Sequence, residues 1–549
     1  GKSMKQIKDP IYGYVDIDDF CLPLIDTAEF QRLRNIVQTG YQALYPSALH
    51  NRFVHSIGVY HLGKKAFDCF SSNVQNRNYP EYVTIKWDTY RTTFTLACLL
   101  HDVGHSPFSH TGEEYYKKST DFRAELEKRF PDKFDFHEDI KITIGKPHEA
   151  MSAIVGLELI DKVDAHDIPN IDRELFVRSI IGATYKSQEK LVENTIIGML
   201  NGTLIDVDKL DYLIRDSYVT GFNTMALDVD RLFAGYVISE YTDASSATKR
   251  VAAYKRGSLS VIENVTFAND LERHWIQNNP TILYDVKLIQ LAIENYDNYM
   301  VEKYQSQLGD EKSIFSKMAI SLAGYIDKGI NLSLLSDDDI ICFLKNDYSA
   351  NNISKQFFDR RQRLKPLWKS EIEFRNLENE LLGNSVARSF KSTLKAIKDN
   401  TFCINDEKYN QALSEKVDLE QTLNSNVSDN LKDIARNSLK AQEKVLKIYE
   451  VFHEFASQYD LKNDFAFIFV DKHYESNYVK LGNEEIYIEF TSDRVIQLKD
   501  ALSVKAVDAS DEEKNGYYYV FTSKHNIDVF KSKHDDISRK LFLFISQKW

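Results

Sequence analysis

Cysteine is scarce in this 549-residue chain. It has five, at 21, 69, 98, 342 and 403, an odd and scattered set with no CxxC pair. That excludes a disulfide framework and a zinc ribbon, and reads as reduced thiols of a cytoplasmic protein. Long apolar runs are missing as well. The longest is about ten residues, half of a membrane span, so no membrane association is expected. Positive charge is in deficit, and the net charge of -13 speaks against a general nucleic-acid or membrane surface. There are only 10 prolines, and no internal repeat or low-complexity tract stands out. The opening "GKSMKQIKD" shows no secretory leader and reads as three extra residues ahead of Met4. What remains is ordinary for a globular protein, 43% hydrophobic and 28% charged. A chain this long calls for a large domain with one or two smaller lobes.

Histidine is where the composition turns informative. Eight of the 14 histidines (50, 55, 61, 101, 105, 110, 137 and 148) fall in one stretch of the chain. Around them the pattern is helical. Residues 5 to 25 alternate and turn as a β-hairpin would. From "DTAEFQRLRNIVQTG" a helix is expected, opened by an Asp/Thr cap and closed by Gly40. Helical periodicity dominates to about residue 460. Residues 405–445 are highly charged, as solvated helices or a mobile excursion would be. The last hundred residues bring β-rich runs, "DFAFIFV", "EEIYIEFTS" and "GYYYVFTS". The expected fold is mainly α: an N-terminal hairpin and helix (1–40), a helical core (41–300), a helical extension (301–460) and a smaller C-terminal α+β lobe (461–549).

The segment "LACLLHDVGHSPFSH", 96–110, ends an oily helix in three histidines and an aspartate. At about 100° per residue, His101, Asp102 and His105 share one arc. Gly104 and Pro107 stop the helix there. Imidazole beside carboxylate suits a divalent ion such as Fe, Mn, Zn or Ni; the competing reading is a set of hydrogen-bonded core histidines. A second helix, "IDVDKLDYLIRDS" (205–217), puts Asp208, Asp211, Tyr212, Arg215 and Asp216 on one face and Leu210, Leu213 and Ile214 on the other. Such a face is either solvated or the wall of a site. His55 opens a third amphipathic helix beside Arg52.

His55, His101-Asp102 and Asp208 in this order resemble the H…HD…D pattern of the HD-domain metal-dependent phosphohydrolases. The strings "DPIYGY", "DTAEFQRLR", "HNRFVHSIGV", "HDVGHSPFSH", "HEA" and "IDVDKLDYLIRD" resemble the dNTP triphosphohydrolase branch over residues 5 to 290. No SAM-type domain is expected ahead of these motifs. The resemblance implies an HD-domain helical core and one divalent metal held by His55, His101, Asp102 and Asp208, with Mg accompanying the nucleotide phosphates. It implies hydrolysis of dNTPs to deoxynucleoside and triphosphate. His105, His110 and His148 match the family's catalytic histidines, with His110 as proton donor supported by His148 and by Glu113, which stands where a vertebrate member has Asp. Arg52 and Lys209 match phosphate contacts, Tyr212 and Asp216 contacts to sugar and triphosphate, and Gln38 the reader of the sugar 3′-hydroxyl. Arg52 and Arg215 have a plainer alternative, pairing with the carboxylates.

Asp26, Gln31 and Arg34 match the residues that hold a guanine-nucleotide activator (GTP or a dNTP) between subunits of allosteric members. Arg361 and Lys365, in the basic run 359–369, lie where activator-phosphate contacts are supplied. A homo-oligomer, dimer or tetramer, is then expected; helix capping is the other reading of the trio. The sequence departs from the family in "FANDLERHWIQNNP", 267–280, where Arg273, Trp275, Gln277, Asn278 and Asn279 replace a Tyr-x-His-Lys-like segment. That leaves two further functions open: hydrolysis of another nucleotide or a phosphate monoester, and a non-catalytic nucleotide sensor.

Overall fold

The computed structural model describes residues 4–163, 168–222, 226–346, 352–397, 403–471, 477–502, 516–532 and 536–549. The fold is mainly helical, with three small sheets. The chain forms two units, each assembled from separated stretches. The first comprises residues 1–276, 285–354 and 476–506, the second 277–284, 355–475 and 507–549. Chain contacts draw this two-unit division, whereas the boundaries expected at 40, 300 and 460 follow the character of the sequence. Linear reading could not foresee it, because distant segments return to complete each unit.

In the first unit, β1 (Lys5–Asp9) and β2 (Gly13–Ile17) form the expected antiparallel hairpin. The helix expected from Thr27 to Gly40 is short. Thr27 caps α1 (Ala28–Gln31), a 3-10 turn carries on to Asn35, and the backbone then leaves the helix. Residues 36–38 pair instead with the strand-like run before the next helix: Arg52 N–H donates to Ile36 O and Gln38 N–H to His50 O. Pairing of these amides across the chain replaces the helical bonds they would have made.

Four helices carry most of the site. α2 (Arg52–Asn76) is capped by Asn51, whose side chain accepts from Val54 N–H. α3 (Trp87–Leu100) buries Phe94, Leu96, Leu99 and Leu100. Farther on come α4 (Pro147–Lys162) and α5 (Val207–Thr220), the latter capped by Asp206 and stopped by Gly221 at φ 69°. The charged face of α5 is not solvated: Asp211, Arg215 and Asp216 are as buried as Leu210 and Leu213. Gly58 makes the approach of α2 to α5 possible. A Cβ at that position would land on the Asp211 carboxylate and the Arg215 guanidinium.

A four-stranded sheet, ordered β3-β4-β8-β9, belongs to the same unit. β3 (Tyr236–Thr242) and β4 (Thr248–Lys255) form a hairpin, followed by α6 (Leu259–Glu272). The second unit supplies β5 (Lys365–Pro366), β6 (Cys403–Asn405), α7 (Asp406–Leu423), α8 (Asp429–Gln458) and β7 (Asp464–Val470). β8 (Tyr487–Thr491) and β9 (Arg494–Gln497) return to the first unit, where β8 runs parallel to β4. Arg77, just past the end of α2, meets Glu489 of β8 with two bonds, at 2.6 and 2.7 Å. β10 (Tyr517–Thr522) completes the second unit's sheet, β5-β10-β7-β6. The charged tract 405–445 lies in the helical pair α7 and α8, which pack against each other. Among the described residues, no helix is long and apolar enough to cross a membrane.

Candidate active site

α3 ends at Leu100, and His101 and Asp102 sit in the turn that follows, one step earlier than the sequence pattern suggests. The tight turn requires Gly104, since a Cβ there would meet the Ser152 amide at 2.6 Å. His101 Nδ1 lies 2.8 Å from the Cys98 carbonyl, an acceptor, so Nδ1 carries the proton and Nε2 offers its lone pair. His55, on α2, is fixed in the same sense: Nδ1 donates to Asp211 at 2.7 Å. The two Nε2 atoms are 3.3 Å apart, and Asp208 Oδ1 lies 2.8 Å from that of His55 and 3.3 Å from that of His101. Asp102 Oδ2 stands 3.5 and 3.4 Å from the same nitrogens. All four residues expected to hold a metal thus converge.

The electrostatics of this cluster suit a cation. Burial opposes charge on His55, but hydrogen bonds and charge from Asp208 and Asp211 outweigh it and push the imidazole up to about 10. His101 is raised against the same opposition by Asp102 and Asp208. Burial would raise Asp102, yet His101, Arg52 and His55 hold its carboxyl well below the usual range. Two carboxylates facing two imidazole lone pairs are a donor set for a divalent transition metal.

Asp211 is the residue sequence reasoning left without a role. It accepts from His55 Nδ1, from Tyr12 Oη at 2.7 Å and from Arg215 Nε and NH2 at 3.1 Å each; Arg215 in turn reaches Asp9. Its spacing of three from Asp208, one helical turn, was the available signal. A carboxylate behind a ligating histidine fixes the ring and raises its basicity, and removing one typically costs 10- to 100-fold in metal affinity. Asp211→Asn is expected to weaken metal binding by roughly that factor, measured by equilibrium dialysis. Unchanged affinity would remove Asp211 from this role.

The second cluster also assembles. Glu113 accepts from both His110 Nδ1 (2.9 Å) and His148 Nδ1 (2.8 Å). Burial would raise the Glu113 carboxyl, but these two partners hold it well below the usual range. His148 is raised, the Glu113 contact overcoming burial. His105 stacks on His148 with ring centroids 4.2 Å apart, and neither of its ring nitrogens has a partner among the described residues. Burial, then the Arg52 charge, keep His105 neutral. The three imidazoles are near enough to be considered a metal trio. Rings stacked at 18°, however, send their in-plane lone pairs along nearly parallel lines, which do not meet at one ion. The arrangement suits proton transfer better.

The expected substrate contacts are less free. Arg52 is buried, with NH1 on Asp102 at 2.8 Å, Nε on Ser109 and NH2 on the Gln38 carbonyl. The plainer alternative for Arg52, pairing with a carboxylate, is what the structure holds, and Arg215 pairs likewise with Asp211 and Asp9. Lys209 turns to Asp206 and the Gly202 carbonyl. Tyr212 reaches Asn269 of α6, and Asp216 is held by His50 at 2.6 Å. Gln38 is buried, and its Oε1 has no partner among the described residues. Glu272, on α6, was missed: burial first, then the Asp216 charge, push its carboxyl well above the usual range.

Gln31 and Arg34 are paired at 2.7 Å, with the Arg34 guanidinium over the Phe53 ring, and Asp26 is exposed at the end of the short helix before them. Arg361 and Lys365 belong to the other unit, Arg361 pairing with Asp359. In the divergent segment, Arg273–Gln277 form a π-helical turn in which the exposed Trp275 meets His274, while Asn278 accepts from Tyr519 within the second unit.

Residues 52–180 match the family model of the HD domain. These residues carry an HD domain. The match takes in His55, His101, Asp102 and the histidine cluster, with Asp208 beyond it. A deoxynucleoside triphosphate triphosphohydrolase SAMHD1 homolog of Dictyostelium discoideum is 34% identical over 42% of this chain and 39% of its own length. The SAMHD1 enzyme of Danio rerio is 31% identical over 40% of this chain and 34% of its own. YwfO of Bacillus subtilis, an uncharacterized protein, is 31% identical over 42% and 43%. The chain thus spans less than half the length of each of these relatives. A crystal structure of a hypothetical protein from Aquifex aeolicus shares the fold, with a TM-score of 0.51 and 18% identity over 98% of this chain and all of that one.

Proposed function

We propose that this protein is a metal-dependent phosphohydrolase that cleaves deoxynucleoside triphosphates to deoxynucleoside and triphosphate. The observation that carries the reading is the pairing of two built clusters: two aspartates with two histidines of fixed tautomer, beside imidazoles poised by Glu113. Similarity to the SAMHD1 enzymes supports the substrate class. His55, His101, Asp102 and Asp208 would hold one divalent ion, Fe, Mn, Zn or Ni. Bound there, it would lower the pKa of a coordinated water and offset charge on a phosphoryl oxygen.

The chain's own residues supply the rest. Water attacks the α-phosphorus, and the bond to the 5′-oxygen breaks. His110, acting as the imidazolium with Nδ1–H held by Glu113, gives its Nε2 proton to that departing oxygen, while the attacking water releases a proton to solvent. Neutral His105, with two unsatisfied nitrogens, and Gln38, with a free Oε1, are the buried groups left to contact substrate. Metal-loaded protein incubated with each dNTP, rNTP and monophosphate, followed by product identification, tests the proposal. Triphosphate is the expected product; none from any dNTP would overturn it.

A specific observation favours the second reading, a nucleotide or monoester with less phosphate. Arg52 and Lys209 are each committed to a carboxylate, and α6 sets Glu272 against Asp216. A polyphosphate would find paired cations and an acidic neighbour. Inorganic phosphate as product would select that reading, and no product at all would select the nucleotide sensor.

Regulation belongs to the same proposal. Asp26, Gln31 and Arg34 offer a carboxylate for a guanine edge and an amide and guanidinium for base and phosphate. If GTP or a dNTP binds there in a dimer or tetramer, with Arg361 and Lys365 contributing, it biases a pre-existing equilibrium toward the active assembly. Arg34→Ala should keep its metal and lose stimulation by GTP. Equal stimulation of both proteins in paired hydrolysis and sedimentation runs would return the trio to capping.

A further inference from the structure

The turn that delivers His110 has an unusual backbone. Phe108 and Ser109, consecutive and neither of them glycine, lie at φ 55° and 59°, a left-handed region that side chains other than glycine avoid. Such a conformation persists only where the surroundings over-determine it. Here one distant side chain does much of that. Asp337 Oδ1 accepts from Phe108 N–H at 2.6 Å, and Oδ2 accepts from Val37 N–H at 2.9 Å. The turn and the Val37 segment are also stitched together directly: Ser109 Oγ donates to the Val37 carbonyl, and Arg52 Nε donates to Ser109 Oγ at 2.9 Å.

Arg32 reinforces the same junction. Fully enclosed, it sends Nε to the Leu335 carbonyl at 2.6 Å, NH1 to Val103 O and NH2 to His105 O. Residues 335–337 therefore reach, through one carboxylate and one guanidinium, three segments that each carry a site residue. Val37 precedes Gln38, Val103 and His105 bracket the turn after the His101-Asp102 pair, and Phe108 lies two residues before His110.

We propose that residues 335–337 form a strut, with Asp337 as a positioning residue, that holds the proton-donor turn in register with the Gln38 segment. The proposal rests on the hydrolase reading for its kinetic consequence, but not for its structural one. A carboxyl group whose two oxygens each accept from a loop amide fixes the separation of those amides, which apolar packing would leave free to slide. A shift of about 1 Å in a reacting group can cost on the order of 100-fold in rate.

Asp337→Asn is the test. It keeps the shape and one carbonyl, and turns an amide N–H toward a backbone N–H. Turnover should fall on the order of 10- to 100-fold, with KM and metal content close to wild type. Hydrogen exchange of the amides in 36–39 and 106–110 should quicken. Asp337→Glu, which keeps both carboxyl oxygens as acceptors, should recover part of the rate and serves as the readout if the Asn variant does not fold. Asp297→Asn is the control. Asp297 is an equally buried carboxylate of the same unit that accepts from Ile314 N–H and Ser313 Oγ, and its loss should leave turnover per folded molecule unchanged. Unchanged turnover in Asp337→Asn, or a loss shared by the control, overturns the strut. If wild type hydrolyses nothing, exchange alone decides: faster exchange keeps the strut while the hydrolase reading falls, and unchanged exchange removes it.

Discussion

Asp208→Asn is expected to empty the metal site and abolish hydrolysis. The substitution keeps the side chain's shape and removes its charge, and Asp208 Oδ1 is the oxygen nearest both imidazole lone pairs, at 2.8 and 3.3 Å. Two carboxylates then become one, and the remaining one, Asp102, already shares its charge with Arg52. Folding should survive. The cap of α5 belongs to Asp206, and the Asp208 side chain is 37% exposed. Metal content by mass spectrometry, taken with a melting curve, separates ligand loss from unfolding. Full occupancy in a folded variant would sink the ligand assignment.

The second large effect is expected from His110→Ala: turnover about 100- to 10,000-fold lower, the range of a general acid, with nucleotide affinity nearly unchanged. The structure makes this a clean experiment. The His110 side chain is 61% exposed, so its removal leaves no core cavity, and Glu113 keeps its partner His148. Single-turnover rates, with binding measured separately, check it. A large loss of affinity at unchanged rate would assign His110 to substrate positioning.

The candidate metal centre was legible in the sequence because chemistry restricts such a site to a few residue types. His, His-Asp and Asp on helical faces have few other reasons to coincide. The charge on α5 was legible too, but only its burial distinguishes a site wall from a solvated face. Asp211, His50 and Glu272 carried weaker signals, since a second carboxylate or a lone histidine has many ordinary uses. Asp337 carried none: nothing in "LSDDDI" marks one aspartate as the acceptor for amides 229 and 300 residues away. The same limit governs the fold. Local patterns gave the hairpin, the long helices and the late strands. They could not show that residues 36–38 abandon helix to pair beside α2, or that β8 leaves its neighbours in sequence for β4.

That last pairing has a consequence for the order in which the protein becomes competent. All four candidate metal ligands and the histidine cluster have been synthesised once residue 208 leaves the ribosome. Their unit nonetheless waits for residues 476–506, made after the 121 residues 355–475 of the other unit. Until then β4 has an unpaired edge, and Arg77, behind the helix that carries His55, lacks Glu489. A nascent or prematurely ended chain therefore holds every chemical group of the site on an unfinished scaffold, with a strand edge open to other chains. Vectorial synthesis thus gives the candidate ligands early and their scaffold late, so competence waits on residues 476–506.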